Sequence, residues 1–517
     1  MSISMPSRKL LHRLSRDRDF LLRAALAIGL AGLVAAAVID KVRDKARASD
    51  VRAEIVEPID RIEALGWSLA GLGEEERAMP AARNAVERIH ELILQWNLDD
   101  GVARLYGDFI RVCGALPEDL VGLRSLDSWH RMLMHCEQLD TGGQAHRLAA
   151  ELALMAGWEL EALRLLEDGF EKSAQPLLLA RSVELALQWD ERSWLTGLLR
   201  DTERFTQLDP RLRCDVAVRM RDYSELFVSV VIMDLQGLRP ELFLLSLLSV
   251  AVWFAILMQL AAMWRRGIVM IAALCLGMIA ALLTLYVVFI QENIRGFVPS
   301  GGLGSDLLYW IGGVGVREES IKALCFLFLL PYLLRQRSPL LAAVSAAVVG
   351  LGFALQENAI YFLEDGSSVT WGRFLTSTFM HASLTGIAGH ALYQLARDVR
   401  RNWENALIDL IAVVVAHGMY NAFLGMVQLA DYAVLSLVFI AYLAHRFLGL
   451  VGQLREAGRI TVAPLGIFVL GCAVVLAVAV NFSLWDVPFG EGLFLFGIEV
   501  LGIAPVAFLF VRHFKEL

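Results

Sequence analysis

The feature that most constrains this chain is a series of apolar runs, each of roughly the 20 residues needed to cross a bilayer. They begin near Phe20, Leu242, Ile268, Tyr309, Leu340, Phe374, Leu407, Ala433, Val462 and Leu493. Backbone groups in hydrocarbon have no water to bond, so runs of this length must be helices. Of the 517 residues, 57% are hydrophobic and only 20% charged. The expected fold is therefore all-α: a polytopic membrane helix bundle of about ten spans. A net charge of -8, with no dense basic cluster beyond the first residues, argues against nucleic acid as a partner. The expected partner is the lipid bilayer.

The spans are unevenly placed, which divides the chain into a cytoplasmic basic N-terminus (1–19), a membrane anchor helix (20–40), an inserted helical domain (41–239) and a membrane bundle (240–517). The anchor ends in "LVAAAVIDK", small residues that a signal peptidase can cut, and is read as retained. Basic residues in short loops set orientation. Arg265 and Arg266, Arg335 and Arg337, Arg397 to Arg401, Arg446 to Arg459, and Arg512 with Lys515 occupy alternate connections, which places those connections in the cytoplasm. The intervening loops are acidic or poor in basic residues. The insert is then extracytoplasmic, periplasmic for a protein of the inner (cytoplasmic) membrane. Tyr309, Trp310 and Trp371, near span ends, read as interface anchors.

Within the insert apolar residues recur at helical spacing. "ELALMAGWELEALRLL" from Glu151, "ELALQWDERSWLTGLL" from Glu184 and "DVAVRMRDYSELFVSVV" from Asp215 align with starts 33 and 31 residues apart. That period is expected of stacked helical hairpins resembling tetratricopeptide repeats, whose function is recognition. Cys113, Cys136 and Cys214 permit one disulfide, with no spacing to choose the pair; Cys275, Cys325 and Cys472 lie in spans and read as packing residues.

Ionisable groups inside spans are costly and usually face the bundle interior. Here they cluster: "REESIK" (Arg317 to Lys322), "GFALQENAIYF" (Gly352 to Phe362), "HASLTGIAGH" (His381 to His390) and "HGMYNAF" (His417 to Phe423). At about 1.5 Å per residue, Glu318, Glu319, Glu357, His381 and His417 all lie about 24–30 Å from their cytoplasmic flanks, in the outer half of the membrane. His390 lies only about 10 Å from Arg397 and reads as structural. Glu318 with Lys322, Phe353 with Glu357, His381 with Thr385, and His417 with Asn421 share helix faces. Four helices are thus expected to offer these groups to one outward-opening, wet cavity, with Lys322 neutralising one of the paired carboxylates. Arg317 is read as an interfacial or ion-pairing residue and Glu292 as a lip residue.

In order on successive spans, "EESIK" (Glu318, Glu319, Lys322), "FALQEN" (Phe353, Glu357, Asn358), His381 and "HGMYN" (His417, Asn421) resemble the motifs of the PrsW family of intramembrane proteases. That family is related to the CAAX prenyl protease and bacteriocin-processing superfamily. The likeness covers roughly 242–448, leaving the insert outside it. Lys322 stands one place before the arginine of the CAAX pattern, and Glu357 replaces its histidine. The resemblance implies an intramembrane peptidase in which Glu318 and Glu319 are catalytic carboxylates and His417 an essential imidazole. His381, Glu357, Lys322, Asn358 and Asn421 stand beside them. Two chemistries fit. In one, His381, His417 and a carboxylate, Glu357 or one of the pair, hold zinc while the remaining glutamate acts as base. In the other, Glu318 or Glu319 activates water without metal while His417 and Asn421 stabilise the oxyanion. The expected substrate is a single-pass membrane protein, by resemblance a regulatory one such as an anti-sigma factor. The alternative is a proton- or ion-coupled transporter using the same Glu/Lys/His cluster, which would need a path to both faces.

Overall fold

The computed structural model describes residues 8–47, 146, 150, 159–364, 369–455, 462–483 and 489–516. Among them every regular element is a helix and no strand occurs. The chain divides into two units, Met1–Arg43 with Val230–Leu517, and Asp44–Ser229.

The larger unit contains α1 (Arg18–Arg47), α2 (Pro240–Leu260), α3 (Gly267–Phe289), α4 (Val316–Leu327), α5 (Pro339–Glu364), α6 (Ser377–Arg397), α7 (Val399–Gly425), α8 (Leu435–Leu454), α9 (Pro464–Ser483) and α10 (Phe489–Glu516). Among the described residues eight helices are long and apolar enough to cross a membrane, fewer than the ten runs counted in the sequence. The two that fall short are α4 and α6, which carry Glu318, Glu319, Lys322 and His381. Helix α4 is charged and stops at Leu327, as Pro331 dictates: it has no N–H to give the carbonyl four residues back, and its ring crowds that carbonyl. Helix α6 is diluted by Ser, Thr and His, but 15 of its 21 residues are buried, so protein rather than lipid surrounds it. The other helices turn large apolar side chains outward, Ile268, Ile408 and Leu501 among them, as a lipid-facing surface requires.

Helices α5 and α6 form the centre. A Cβ at Gly350 would overlap the carbonyl oxygen of His381, so glycine there lets the two backbones cross closely and sets α6 against α5 at the level of the buried histidine. On the other side of the bundle Trp253 of α2 is ringed by Phe374, Phe379, Phe468 and Phe510 and donates its indole N–H to the Phe374 carbonyl at 2.8 Å. Helix α1 docks on α9, where Asn481 donates to the Gly32 carbonyl at 3.1 Å.

In the smaller unit the described helices are Glu159–Ser173, Pro176–Gln188, Arg192–Arg200, Thr202–Thr206 and Pro210–Met220, followed by Tyr223–Gly237, which runs past the unit boundary. Ala174, Asp190 and Arg221 take left-handed backbone conformations at helix ends, and Asp201 and Asp209 cap the helices that follow them. The helices holding the Glu184 and Asp215 repeat starts pack on each other around Leu166, Leu178, Val183 and Leu195. The first repeat start, Glu151, and both Cys113 and Cys136 lie outside the described residues. Cys214 is buried with its thiol free.

Candidate active site

The segment leading into α4 is not α-helical. Residues Tyr309–Gly315 wind as a π-helix, a form that occurs mostly as a local bulge near functional sites. Gly313, Gly315 and Gly418 make the close packing possible there. A Cβ at Gly418, next to His417, would come within 2.5 Å of the Ile311 Cα, so α7 presses its backbone against this turn. The π-turn delivers Glu318 and Glu319 into the bundle as α4 begins, directly opposite His417.

Glu318, Glu319, Lys322, His381 and His417 come together and are almost completely buried; Lys322 and His417 are both 0% exposed. The expectation of an open, wet cavity is therefore not what this arrangement displays. The charges are tolerated by pairing with one another. Lys322 Nζ donates to Glu319 Oε1 at 2.8 Å, to Glu318 Oε2 at 3.3 Å and to His381 Nδ1 at 2.8 Å. It also sits 3.8 Å from the centre of the Phe353 ring, whose face favours a cation.

The partners assign the histidine tautomers. An ammonium can only donate, so His381 Nδ1 accepts from Lys322 and its Nε2–H donates to Glu357 Oε2 at 2.9 Å. His417 Nδ1–H donates to Glu319 Oε1 at 2.7 Å. His417 Nε2 is left without a hydrogen-bond partner, 3.4 Å from Glu318 Oε2, and Glu319 Oε2 is likewise buried and unpartnered. The site thus holds two carboxylate–imidazole dyads, Glu319–His417 and Glu357–His381, with Lys322 between them.

Glu318, His381 and His417 offer one ligand atom each, all within 4.8 Å of one another. Two imidazoles and a carboxylate are the donor set of a three-ligand catalytic metal site, and the bare Nε2 of His417 is a lone pair with nothing to bind. The donor types fit a metal ion, which would take the His381 Nδ1 lone pair that Lys322 occupies here. The carboxylate in this group is Glu318 of the pair, while Glu357 stands behind His381, the position from which a carboxylate orients a metal-binding imidazole.

The remaining expected residues fall at the edge. Asn358 is fully buried but bonds Thr378 and Arg373 instead of Glu318 or Glu319. Asn421 is half-buried and, among the described residues, makes no hydrogen bond to these groups. His390 is apart from the site and pairs with Gln394. Arg317 bonds Gln291 at 2.9 Å and lies 3.8 Å from Glu292, so its ion-pairing role is what the structure contains. Tyr309 and Trp371 are buried, correcting their reading as interface anchors: Tyr309 donates to Glu292 and Trp371 packs on Phe374. One residue was missed altogether. Arg373, on the short helix Thr370–Leu375, donates to Glu357 Oε2 at 2.6 Å and to Asn358 Oδ1 at 2.7 Å. The signal was a lone arginine eight residues before His381, overlooked because it sits among span-end residues.

Residues 266–445 match the model of the PrsW family of intramembrane metalloproteases. The matched segment takes in α3 to α7 and the first half of α8, hence every group of both dyads. It leaves out the smaller unit, α1, α2 and the two C-terminal helices. The motif resemblance to PrsW proteases is thereby shown over this segment. No curated protein and no solved structure matches the chain.

Proposed function

We propose that this protein hydrolyses a peptide bond of a single-pass membrane protein near the extracytoplasmic face of the inner membrane. The observation that carries the reading is the convergence of Glu318, His381 and His417 beside the unpartnered Oε2 of Glu319, inside the segment that matches PrsW proteases. In this reading Glu318, His381 and His417 hold a metal ion, zinc by donor type. Such an ion supplies Lewis acidity toward the scissile carbonyl and lowers the pKa of water. Glu319 uses its free Oε2 as general base and later returns the proton to the leaving amine, while its Oε1 keeps His417 oriented. Glu357 holds the His381 ring by Nε2, and Lys322 balances the charge of the carboxylate pair. Asn421, one turn beyond His417, joins it in stabilising the oxyanion in the metal-free version. The inserted helical unit, read as hairpin repeats, selects the substrate, a regulatory membrane protein such as an anti-sigma factor by resemblance.

One observation favours a metal-free version. Lys322 Nζ already occupies the lone pair of His381 Nδ1 and contacts both glutamates, so a cation is present among the donors without any metal. Purified protein with metal analysis, assayed alongside Glu319→Gln and His417→Ala on candidate single-pass proteins, separates these readings. Loss of cleavage in both variants is expected, and full cleavage by both would sink the assigned site. Chelator-resistant cleavage with no bound metal selects the glutamate version.

A further inference from the structure

We infer that Arg373 is a positioning residue for this site: it clamps Glu357 and thereby fixes the His381 imidazole. The inference rests on the proposed function above and extends it to a residue outside the recognised motifs. Arg373 uses separate nitrogens for separate acceptors. Nη2 donates to Glu357 Oε2 at 2.6 Å and to Ser377 Oγ at 3.2 Å, while Nε donates to Asn358 Oδ1 at 2.7 Å. Its guanidinium lies 3.8 Å from the centre of the Tyr361 ring, one helical turn along α5 from Glu357. The fork therefore grips two consecutive residues of α5 and stacks on a third. Only a planar guanidinium does this; a lysine ammonium is a single point charge.

The oxygen that Arg373 holds is the one that receives the His381 Nε2–H at 2.9 Å. A carboxylate free to rotate would let that ring turn, and with it the Nδ1 lone pair at the centre of the site. The base from which Arg373 reaches is itself pinned. Glu499 of α10 accepts from the Gly372 backbone N–H at 2.8 Å, immediately before Arg373. Helix α10 lies outside the matched segment, so residues beyond the family core brace a side chain that acts on its centre.

The test uses full-length protein in detergent, with wild type compared to Arg373→Gln, Arg373→Lys and Glu499→Ala. Two measurements are needed: kcat and KM on a cleaved single-pass protein, and the Co²⁺ concentration giving half-maximal d–d absorption without substrate. Arg373→Gln is expected to lower kcat about 10–100-fold with KM within about twofold, and to weaken Co²⁺ binding about tenfold. Arg373→Lys should recover only part of both, because one ammonium cannot serve Glu357 and Asn358 together. Glu499→Ala should reproduce the kcat loss in milder form, and it carries the test if Arg373→Gln does not fold. Wild-type kcat and Co²⁺ affinity in the Arg373 and Glu499 variants overturn the inference. A change in KM alone also overturns it, making Arg373 a substrate contact. If wild type cleaves nothing, the proposed function fails, and the Co²⁺ titration still decides the role of Arg373.

Discussion

Two buried ion-pair sites, one in each unit, use the same residue types to different ends. In the smaller unit Arg213 donates to Glu225 at 2.8 Å, and Ser229 adds a hydroxyl to the same carboxylate oxygen. One cation meets one anion, and the Phe205 ring packs against the guanidinium. In the bundle, three carboxylates (Glu318, Glu319, Glu357) share two cations, Lys322 and Arg373, and two imidazoles. The first arrangement is neutral and its one unpartnered atom, Arg213 Nε, is a donor that offers no lone pair, so its role is to hold helices together. The second carries an excess negative charge and keeps a carboxylate oxygen and an imidazole nitrogen unpartnered. A buried surplus of acceptors is poised to take up a proton or a metal ion, which is what hydrolysis requires and a structural pair avoids.

The hardest test of that contrast removes the central cation. Lys322→Met leaves Glu318 and Glu319 facing each other without compensation, and breaking a buried pair this way costs about 3–5 kcal/mol. Cleavage should disappear and the unfolding midpoint in detergent should fall. Adding Glu318→Gln to Lys322→Met should restore part of the stability but none of the activity. A Lys322→Met protein as stable as wild type would mean that the charges are compensated by something other than Lys322.

Much of this site was legible in the sequence. Depth counting brought Glu318, Glu319, Lys322, Glu357, His381 and His417 to one level, and helical phase put them on facing sides, because both follow from a fixed rise and 3.6-residue periodicity. Two things were not legible. Whether the cavity is wet depends on how tightly neighbours close, and that is decided by contacts such as Gly418 on Ile311, which no periodicity encodes. The role of Arg373 depends on a short helix whose direction is set by Glu499, more than a hundred residues away in the chain. The count of membrane helices fell short for a related reason: α6 can carry Ser, Thr and His because other helices sheath it, and that composition lowers its hydropathy.

On the other side of the comparison, Arg213→Met should act on stability alone. The guanidinium is buried and Glu225 is mostly so; losing the pair while leaving Glu225 in place should cost about 1–3 kcal/mol. Thermal unfolding followed by circular dichroism measures this, and the rate of peptide-bond cleavage per folded molecule should not change. A parallel loss of cleavage in the folded fraction would show that the Arg213 pair is not merely structural.

A third kind of pairing lies within the larger unit. Asp234, on the helix Tyr223–Gly237, is buried with an uncharged partner, accepting from the Gln356 amide at 2.6 Å. Burial holds its carboxyl above the usual carboxylate range, and the Gln356 hydrogen bond offsets this only in part. Because the folded state then binds its proton more tightly than the unfolded chain, this group favours folding most below the ordinary carboxylate pKa. That advantage is lost as pH rises through the raised folded value. Asp234→Asn keeps an acceptor for Gln356 and should flatten the pH dependence of the unfolding midpoint just above the ordinary carboxylate pKa, a small effect. An unchanged slope would place the titration elsewhere.

The smallest expected effect concerns Cys214, beside Arg213 in the closed pair. Burial pushes its thiol up to about 12, with Asp215 adding to the shift and Arg213 opposing it. The thiolate is the reactive form, so at pH 8 only about one molecule in ten thousand is available to an electrophile. Iodoacetamide at pH 8 should therefore leave the Cys214 peptide unmodified in the folded protein and alkylate it fully in denaturant, as read by mass spectrometry. In Arg213→Met the thiol loses the one neighbour that favours its ionised form, so labelling should not rise unless the helix has opened. Fast labelling of Cys214 in that variant, at unchanged helicity, would mean that the Arg213–Glu225 pair shields the core from water, a second task for a contact that otherwise only balances charge.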